Sequence, residues 1–571
     1  MDKIWLKHYD KGVPHTIDYP STTLHGLLEE TSQRFPQNTA IVFPGALGDS
    51  YRISYQRLNE LVNRLANSLI KLGVKKGDRV ALLMPNCPQF VISYYAILKL
   101  GGIVVATNPL YSPREIEHQL NDCEAETIVV LSLFYRNVAE VKTNTKLRNI
   151  IVTYVKEYLP PISRLLFALL KEKKEGHRVD VSGIRDIHLL QDMLRDSPAT
   201  PPSTTVYPED VAMYQYTGGT TGVSKGAVLV HRGVLANAYQ MRAWSIPTNK
   251  KDGEGVALGV MPLFHVYGMV TVMHFCVLAA AAMVLLPRFQ TKQVLGAISK
   301  YRPYFFPGVP TMYVALNNFP GVKKYNLSSI EACVSGAAPL PVEVQQKFEA
   351  LTGGKLVEGY GLTEAAVVTH ATPIYGLRKI GSIGVPFPDV ESRIVDLETG
   401  EKEMPLGEPG ELTVRAPQVM KGYLNRADET GQILRNGWLH TGDIAKMDED
   451  GYFFIVDRKK EMIIAGGYNI YPREVEEVLY ENDKVKECAC YGVPDSYRGE
   501  TVKVCIVLKE GQTATPEEIA EYCRTKLARF KVPKLVEFRT ELPKSPIGKV
   551  LRRVLVEEEK QKQKAEKGQS G

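Results

Sequence analysis

The sequence predicts an α/β fold: a large N-terminal domain of helix-covered sheets with a small β-rich subdomain, followed by a small α+β C-terminal domain. Three observations carry this. Short β-branched runs alternate with helix-length amphipathic segments from about residue 25 to 350. From about 380 to 456 the texture changes to short strands and Gly/Pro turns, and after Asp457 strands and helices mix in a compact unit.

In the first region, "RVALLMP" from Arg79, "GIVVATNP" from Gly102, "TIVVL" from Thr127 and "AVLVH" from Ala227 read as buried strands, and strands alternating with helices imply parallel sheets. "TVMHFCVLAAAAMVLLP", Thr271 to Pro287, is slightly short for a membrane span and splits into a helix-like half and a strand-like half. It is expected to be a buried helix and strand. The β-rich subdomain comprises "GSIGVPFPDVESRIVD", "GEPGELTVRAP" and "DEDGYFFIV". The C-terminal unit, 457–555, has strands "KEMIIAG", "ECACYGVP" and "VKVCIVL" and helices "PREVEEVLYEN" and "PEEIAEYCRTKLARF". The tail 556–571 carries too little apolar surface to order and is expected to be disordered.

The 571 residues, 44% hydrophobic and 23% charged, have the composition of a globular protein. A net charge of +6 with no basic cluster interleaved with aromatics argues against nucleic acid as a partner. Eight cysteines without a C-x-x-C pair give neither a zinc site nor a disulfide framework, and suit a reducing compartment. The N-terminus lacks an apolar signal core, so a cytoplasmic location is expected. In "ISRLLFALLKEKKEGHR" the apolar residues Ile162, Leu165, Leu166, Phe167, Leu169 and Leu170 fall at helical spacing and run into Lys171, Lys173 and Lys174. Two readings stand open: a core-facing helix, or one lying peripherally on the inner membrane surface. No motif specifies an assembly, and a homodimer is compatible with the chain.

Five stretches place polar residues among apolar ones. "YTGGTTGVSKGA", Tyr216 to Ala227, offers backbone N–H groups, hydroxyls and Lys225 to a polyphosphate such as ATP, although Lys225 lacks the Gly before it and the hydroxyl after it that the commonest phosphate loop requires. A solvated linker is the alternative. "MPLFHVYG" sets His265 in an apolar segment, as a core histidine or a site residue. In "EGYGLTEAA" Tyr360 could stack on a base and Glu364 hold Mg²⁺, or the stretch could be a plain turn. "HTGD" places Asp443 to bind ribose hydroxyls, while Asp448, Glu449 and Asp450 read as a hairpin turn. "LPKSPIGKVLRR" puts Lys549 on a loop, where a surface lysine is the ordinary case.

In this order and with this content, the stretches make residues 25 to 555 resemble the adenylate-forming superfamily of acyl-CoA synthetases, luciferases and peptide-synthetase adenylation domains. Asn436 to Lys460 is similar to the fatty acyl-CoA synthetase signature, and the overall likeness is to bacterial long-chain fatty acid–CoA ligases. Asn436, Ala445 and Met447 depart from the usual Asp, Gly and Trp, which keeps an aromatic acid–CoA ligase open. A noncatalytic fatty-acid carrier would be expected to lose Glu364 or Lys549, and both are present.

The resemblance implies an AMP-binding domain over 1–456, with its β-rich subdomain about 380–456, and a mobile domain over 457–555 hinged at Asp457. It implies ATP, Mg²⁺ and coenzyme A as partners of a fatty acid of medium to long chain. Thr217, Gly218, Gly219, Thr220, Thr221, Gly222, Ser224 and Lys225 would hold the phosphates. Glu364 and Thr220 would bind the metal. Gly336, Ala337, Tyr360 and Thr363 would surround the nucleotide, and Asp443 and Arg458 would take the ribose. His265 would lie beside the incoming carboxylate, with Thr363 and Glu364 among the catalytic groups. Lys549 would reach the carboxylate and the α-phosphate, and Gly466 and Gly467 would leave a channel for pantetheine.

Overall fold

The computed structural model describes residues 3–568 apart from 182, 218–223, 460, 466–467, 496–498 and 546–548, with backbone only at 468–469 and 563–568. Contact density divides the chain into two units, residues 1–391 with 415–439, and residues 392–414 with 440–571.

The first unit contains two large sheets. One has seven strands in the order Ile187–Leu189, Asn149–Thr153, Thr127–Leu131, Arg79–Leu83, Ile103–Thr107, Val211–Thr217 and Lys225–Val230. All its pairings are parallel except the last, an antiparallel edge hairpin. Its central strands are mostly apolar and buried on both faces, as strands inside a parallel sheet must be. The second sheet has nine strands, in the order Val385–Pro386, Val367–Ala371, Lys355–Leu362, Ala332–Ser335, Phe305–Gly308, Val256–Gly259, Ala282–Leu285, Thr39–Pro44 and Ser50–Ser54. Its middle is parallel and its two ends are antiparallel.

Local chemistry sets the helix ends. Ser112 caps the helix Pro113–Asp122 in a reciprocal box with Glu115, Pro113 takes the first helical position, and Ser54 caps Tyr55–Lys71. The stretch from Thr271 is a buried helix followed by the strand Ala282–Leu285, as expected from its split pattern. His274 is satisfied there by the hydroxyls of Tyr94 and Tyr95 at 3.0 and 3.1 Å, and burial pushes its pKa down to about 3.

The helix Pro161–Leu170 does not face the core. It buries Ser163 and leaves Ile162, Leu165, Leu166, Leu169 and Leu170 exposed.

The second unit holds Ser392–Val395, most of Gly410–Arg415, His440–Met447 and Phe453–Arg458, so these expected β-rich strands cluster with the residues after Asp457. The Asp448 turn forms as expected: its carboxylate accepts from the N–H groups of Asp450 and Tyr452 at 3.0 and 2.9 Å. A second sheet runs Tyr468–Ile470, Ile463–Ala465, Gly499–Leu508, Val485–Asp495, with Leu535–Phe538 parallel to Gly499–Leu508. Helices Pro472–Tyr480 and Pro516–Arg524 belong to the same core.

Over the described part of the tail, a helix runs from Arg552 to Gly568. The acidic residues of its first half find cations: Glu559 pairs with Lys503 at 2.7 Å and Glu558 with Arg539 at 2.7 Å, while Leu555 is buried. A polar composition had hidden partners that lie far away in sequence.

The backbone at Gly361 leaves no room for a side chain. A Cβ on Gly361 would lie 1.4 Å from the carbonyl oxygen of Val367, whereas one on Gly296, inside the helix Thr291–Tyr301, would meet nothing within 4 Å. Gly361→Ala should therefore lower the thermal midpoint sharply or prevent folding. Gly296→Ala should raise stability by up to about 1 kcal/mol, since alanine is the better helix former. Thermal and urea melts of the two variants check the pair.

Candidate active site

The first group of residues gathers at the carboxyl ends of parallel strands, where open α/β sheets bind ligands. Ala332–Ser335 pairs in parallel with Lys355–Leu362 up to the Ser335–Glu358 register, so Gly336 and Tyr360 follow at the same end of the two strands. Gly336 is buried against the Tyr267 ring, where a Cβ would stand 3.3 Å from the ring carbon. Ala337 follows in a left-handed conformation, φ 67°. Tyr360 is half-buried and meets His370 edge-on at 5.8 Å. The strand then passes Gly361 and delivers Thr363 and Glu364 on one short helical turn, both half-buried.

The edge hairpin of the seven-stranded sheet belongs to the same unit. Thr217 and Lys225 are register partners across the mouth of that loop, and Ser224 Oγ donates to the Thr217 carbonyl at 2.6 Å. Gly218, Gly219, Thr220, Thr221 and Gly222 lie outside the described residues. The strand Lys225–Val230 is held against residues 421–424 by backbone bonds, Leu424 N to Gly226 O at 2.8 Å and Val228 N to Gly422 O at 2.9 Å. This brings Tyr423 between two of the site residues. Its hydroxyl donates to Glu364 at 2.6 Å, and the Lys225 ammonium sits 5.4 Å from its ring centre. Lys225 also pairs with Glu429, and Arg426 links Glu429 to Asp122, which accepts from Tyr216.

His265 caps a single turn, its Nδ1 accepting from the Tyr267 N–H at 3.1 Å. Burial pushes its pKa down to about 4, so the ring is neutral near pH 7 with its proton on Nε2. The segment is fixed by buried Asn86, whose amide donates to the carbonyls of Gly259 and Met261 and accepts from Leu263 N–H. Gly268 closes the turn where a Cβ would collide with the Pro262 carbonyl at 2.4 Å.

The second group belongs to the second unit. Asp443, 3% exposed, stands opposite Arg458 in the antiparallel register and pairs with its Nε at 3.0 Å. Thr441 orients this strand by donating to the Leu412 carbonyl and accepting from Asp443 N–H. Asp457, next to Arg458, is also buried. Its carboxylate accepts from Arg458 and Arg473 backbone N–H groups at 2.7 and 2.8 Å, and burial raises its pKa.

Lys549 is brought to this pair. The Arg458 charge lowers its pKa, with burial adding to the effect, and Asp443 and Glu461 oppose; the balance is about 8. Its loop is closed by reciprocal bonds with Ser545, at 2.7 Å from Ser545 N and 3.1 Å to Ser545 Oγ. Arg552, one turn on, pairs with Glu461, with Glu476 at 2.5 Å and more distantly with Asp457 at 3.9 Å. Gly466 and Gly467 lie outside the described residues.

Thr217, Ser224, Lys225, His265, Gly336, Ala337, Tyr360, Thr363 and Glu364 thus share one unit, and Asp443, Asp457, Arg458 and Lys549 the other. Sequence reasoning missed Asn86, Tyr423, Glu429 and Arg552. Asn86 carried a usable signal, a polar residue after the apolar strand "RVALLMP"; the other three look like ordinary surface residues until the chain folds.

The chain belongs to the AMP-binding enzyme family: the model of AMP-binding enzymes matches residues 28–424, and that of the AMP-binding enzyme C-terminal domain matches 474–549. Among its relatives, the long-chain-fatty-acid–CoA ligase of Bacillus subtilis (strain 168) is 48% identical over 561 residues, covering 98% of each chain. That of Escherichia coli O6:H1 is 39% identical over 568 residues, again covering 98% of each. A crystal structure of the anthranilate CoA ligase AuaEII with anthranoyl-AMP superimposes with a TM-score of 0.80 at 28% identity, covering 94% of this chain and 96% of that one.

The charge arrangement around Lys549 is directly testable. Its amine should titrate near pH 8 in the folded protein, against 10.5 for an ordinary lysine. Arg458→Gln, which removes the largest cause, should move the midpoint upward. Trace acetylation followed by peptide mass spectrometry across a pH series reads both values.

Proposed function

We propose that this protein activates a fatty acid of medium to long chain with ATP and passes the acyl group to coenzyme A, releasing AMP and pyrophosphate. The observation that carries the reading is the 48% identity, over essentially its whole length, to a long-chain-fatty-acid–CoA ligase. The geometry supports it, with a lysine and a threonine facing each other across a glycine-rich loop in one unit, and a lysine of lowered pKa beside an Asp–Arg pair in the other.

In the first step a carboxylate oxygen attacks the α-phosphorus, and the bond to the pyrophosphate oxygen breaks. In the second the thiol sulfur attacks the acyl carbon, AMP leaves, and the thiol proton is lost. Negative charge builds on the phosphate in the first step, so cations placed beforehand lower its barrier. Thr217, the loop glycines and hydroxyls Gly218, Gly219, Thr220, Thr221, Gly222 and Ser224, and Lys225 hold the β- and γ-phosphates. Lys225 must exchange Glu429 for phosphate to do so, a swap of one anion for another. Gly336, Ala337 and Tyr360 take the adenine, and Asp443 and Arg458 the ribose. Neutral His265 lies beside the carboxylate without adding charge, and Lys549 serves the carboxylate and the α-phosphate.

The donor set also fits Mg²⁺. Glu364 is a single half-buried carboxylate bonded by Tyr423, and no cluster of three His, Cys, Asp or Glu occurs among the described residues. An ion that keeps waters and takes oxygens from phosphates suits such a set. Glu364 and Thr220 would hold it, and when bound it would neutralise phosphate charge. The residues after Asp457 turn about it between the two steps, so that Lys549 serves the first and Gly466 and Gly467 the second. The reading includes peripheral contact with a membrane, where an insoluble acyl substrate collects.

Lys549→Ala should slow carboxylate-dependent exchange of pyrophosphate into ATP by about 100-fold to 1,000-fold, the usual loss for one preorganised donor. Thioester formation from a supplied acyl-adenylate should fall much less. Equal losses in both assays would end the two-position reading. ADP and orthophosphate as products would end the whole proposal, and a preference for coumarate over fatty acids would move it to the aromatic ligases.

A further inference from the structure

We propose that the helix Pro161–Leu170 and the cations that follow it dock the protein on an anionic lipid surface. Ile162, Leu165, Leu166, Leu169 and Leu170 recur at i, i+3, i+4, i+7 and i+8, which is one continuous stripe of a helix. On a core helix that stripe is buried. Here it faces outward, with Leu165 60%, Leu169 72% and Leu170 67% exposed. Contiguous apolar surface of this kind marks an interaction site rather than chance exposure.

The helix is anchored from its other side, so the stripe is presented by a fixed element. Ser163 Oγ donates to Asp49 Oδ1 at 2.7 Å, Phe167 meets His177 edge-on at 5.2 Å, and buried Glu172 pairs with Lys156 at 2.5 Å. The loop that Asp49 belongs to adds another exposed leucine, Leu47.

Charge identifies the occupant. Lys171, Lys173, Lys174 and Arg178 follow the stripe directly and are exposed. Of the two acids among them, Glu172 is turned inward to Lys156, and Glu175 makes only an exposed 3.6 Å pair with Lys171. An apolar face flanked by cations is what lies at the headgroup boundary of an anionic bilayer, leucines toward the acyl chains and lysines toward the phosphates. No described helix is long and apolar enough to cross a membrane, so the contact is peripheral. The benefit to catalysis rests on the proposed fatty-acid ligase reading, since fatty acids partition into bilayers; the docking itself does not.

The test is sedimentation of the full-length protein with vesicles of phosphatidylcholine alone and of equimolar phosphatidylcholine and phosphatidylglycerol. The triple variant Lys171→Glu, Lys173→Glu, Lys174→Glu should lose at least about 100-fold in partition to the anionic vesicles, roughly five-fold for each lysine. Its weak binding to phosphatidylcholine should not change. Leu165→Ser with Leu169→Ser should lose binding to both. Pyrophosphate exchange with octanoate, a water-soluble fatty acid of the proposed class, should be the same in all three proteins. Its absence from all three would remove the ligase reading and leave the docking result standing. Unchanged partition of the lysine variant overturns the proposal, and that variant decides alone if the leucine variant fails to fold. The proposal also falls if the leucine variant breaks an oligomer on gel filtration without altering vesicle binding, because the stripe would then face a second copy of the chain.

Discussion

The candidate site depends on the close approach of two strands at Gly361, just after one of them changes the direction of its partner. The strand Lys355–Leu362 runs parallel to one neighbour and antiparallel to the other. The register shifts between Tyr360 and Gly361, and there the chain approaches Val367 so closely that only hydrogen fits on the α-carbon. The two residues that follow the facing turn, Ala366 and Val367, carry positive φ values of 54° and 151°, so the partner strand also bends to make the crossing. Tyr360, Thr363 and Glu364 owe their placement to this one contact. Moving it would carry the aromatic ring, the hydroxyl and the carboxylate away together.

Two lysines illustrate how the same side chain is prepared differently. Lys225 is met by the Glu429 carboxylate and the face of Tyr423, surroundings that favour a cation. Lys549 is set beside the Arg458 guanidinium, whose charge and the burial of the amine lower its pKa while Asp443 and Glu461 oppose the shift. A lysine poised this way responds strongly to the arrival of an anion. His265 follows the opposite logic, with burial keeping it neutral.

Much of this was legible in the sequence. The parallel strands announced themselves by β-branched runs, because residues buried on both faces of a sheet must all be apolar. The Asp448 turn was legible because a short carboxylate bonding its own downstream N–H groups is a local interaction. The charge pairs of the tail with Lys503, Arg539 and Glu537 were not legible, because these partners are distant in sequence and composition reports nothing about distant charge pairing. The helix Pro161–Leu170 left two readings because periodicity fixes which residues share a face but not which way that face points.

By itself, then, the sequence determined the α/β class, the polar stretches of the candidate site and their order, since these are written in local pattern and residue type. Only the tertiary structure decided that Tyr423 joins Glu364 to the loop mouth, and that Asn86 clamps the His265 segment. It alone set Lys549 beside Arg458 and turned a leucine stripe outward. The physical reason is common to all four: each depends on distance between groups far apart along the chain, and hydrogen bonds, Coulomb forces and burial act through that distance alone.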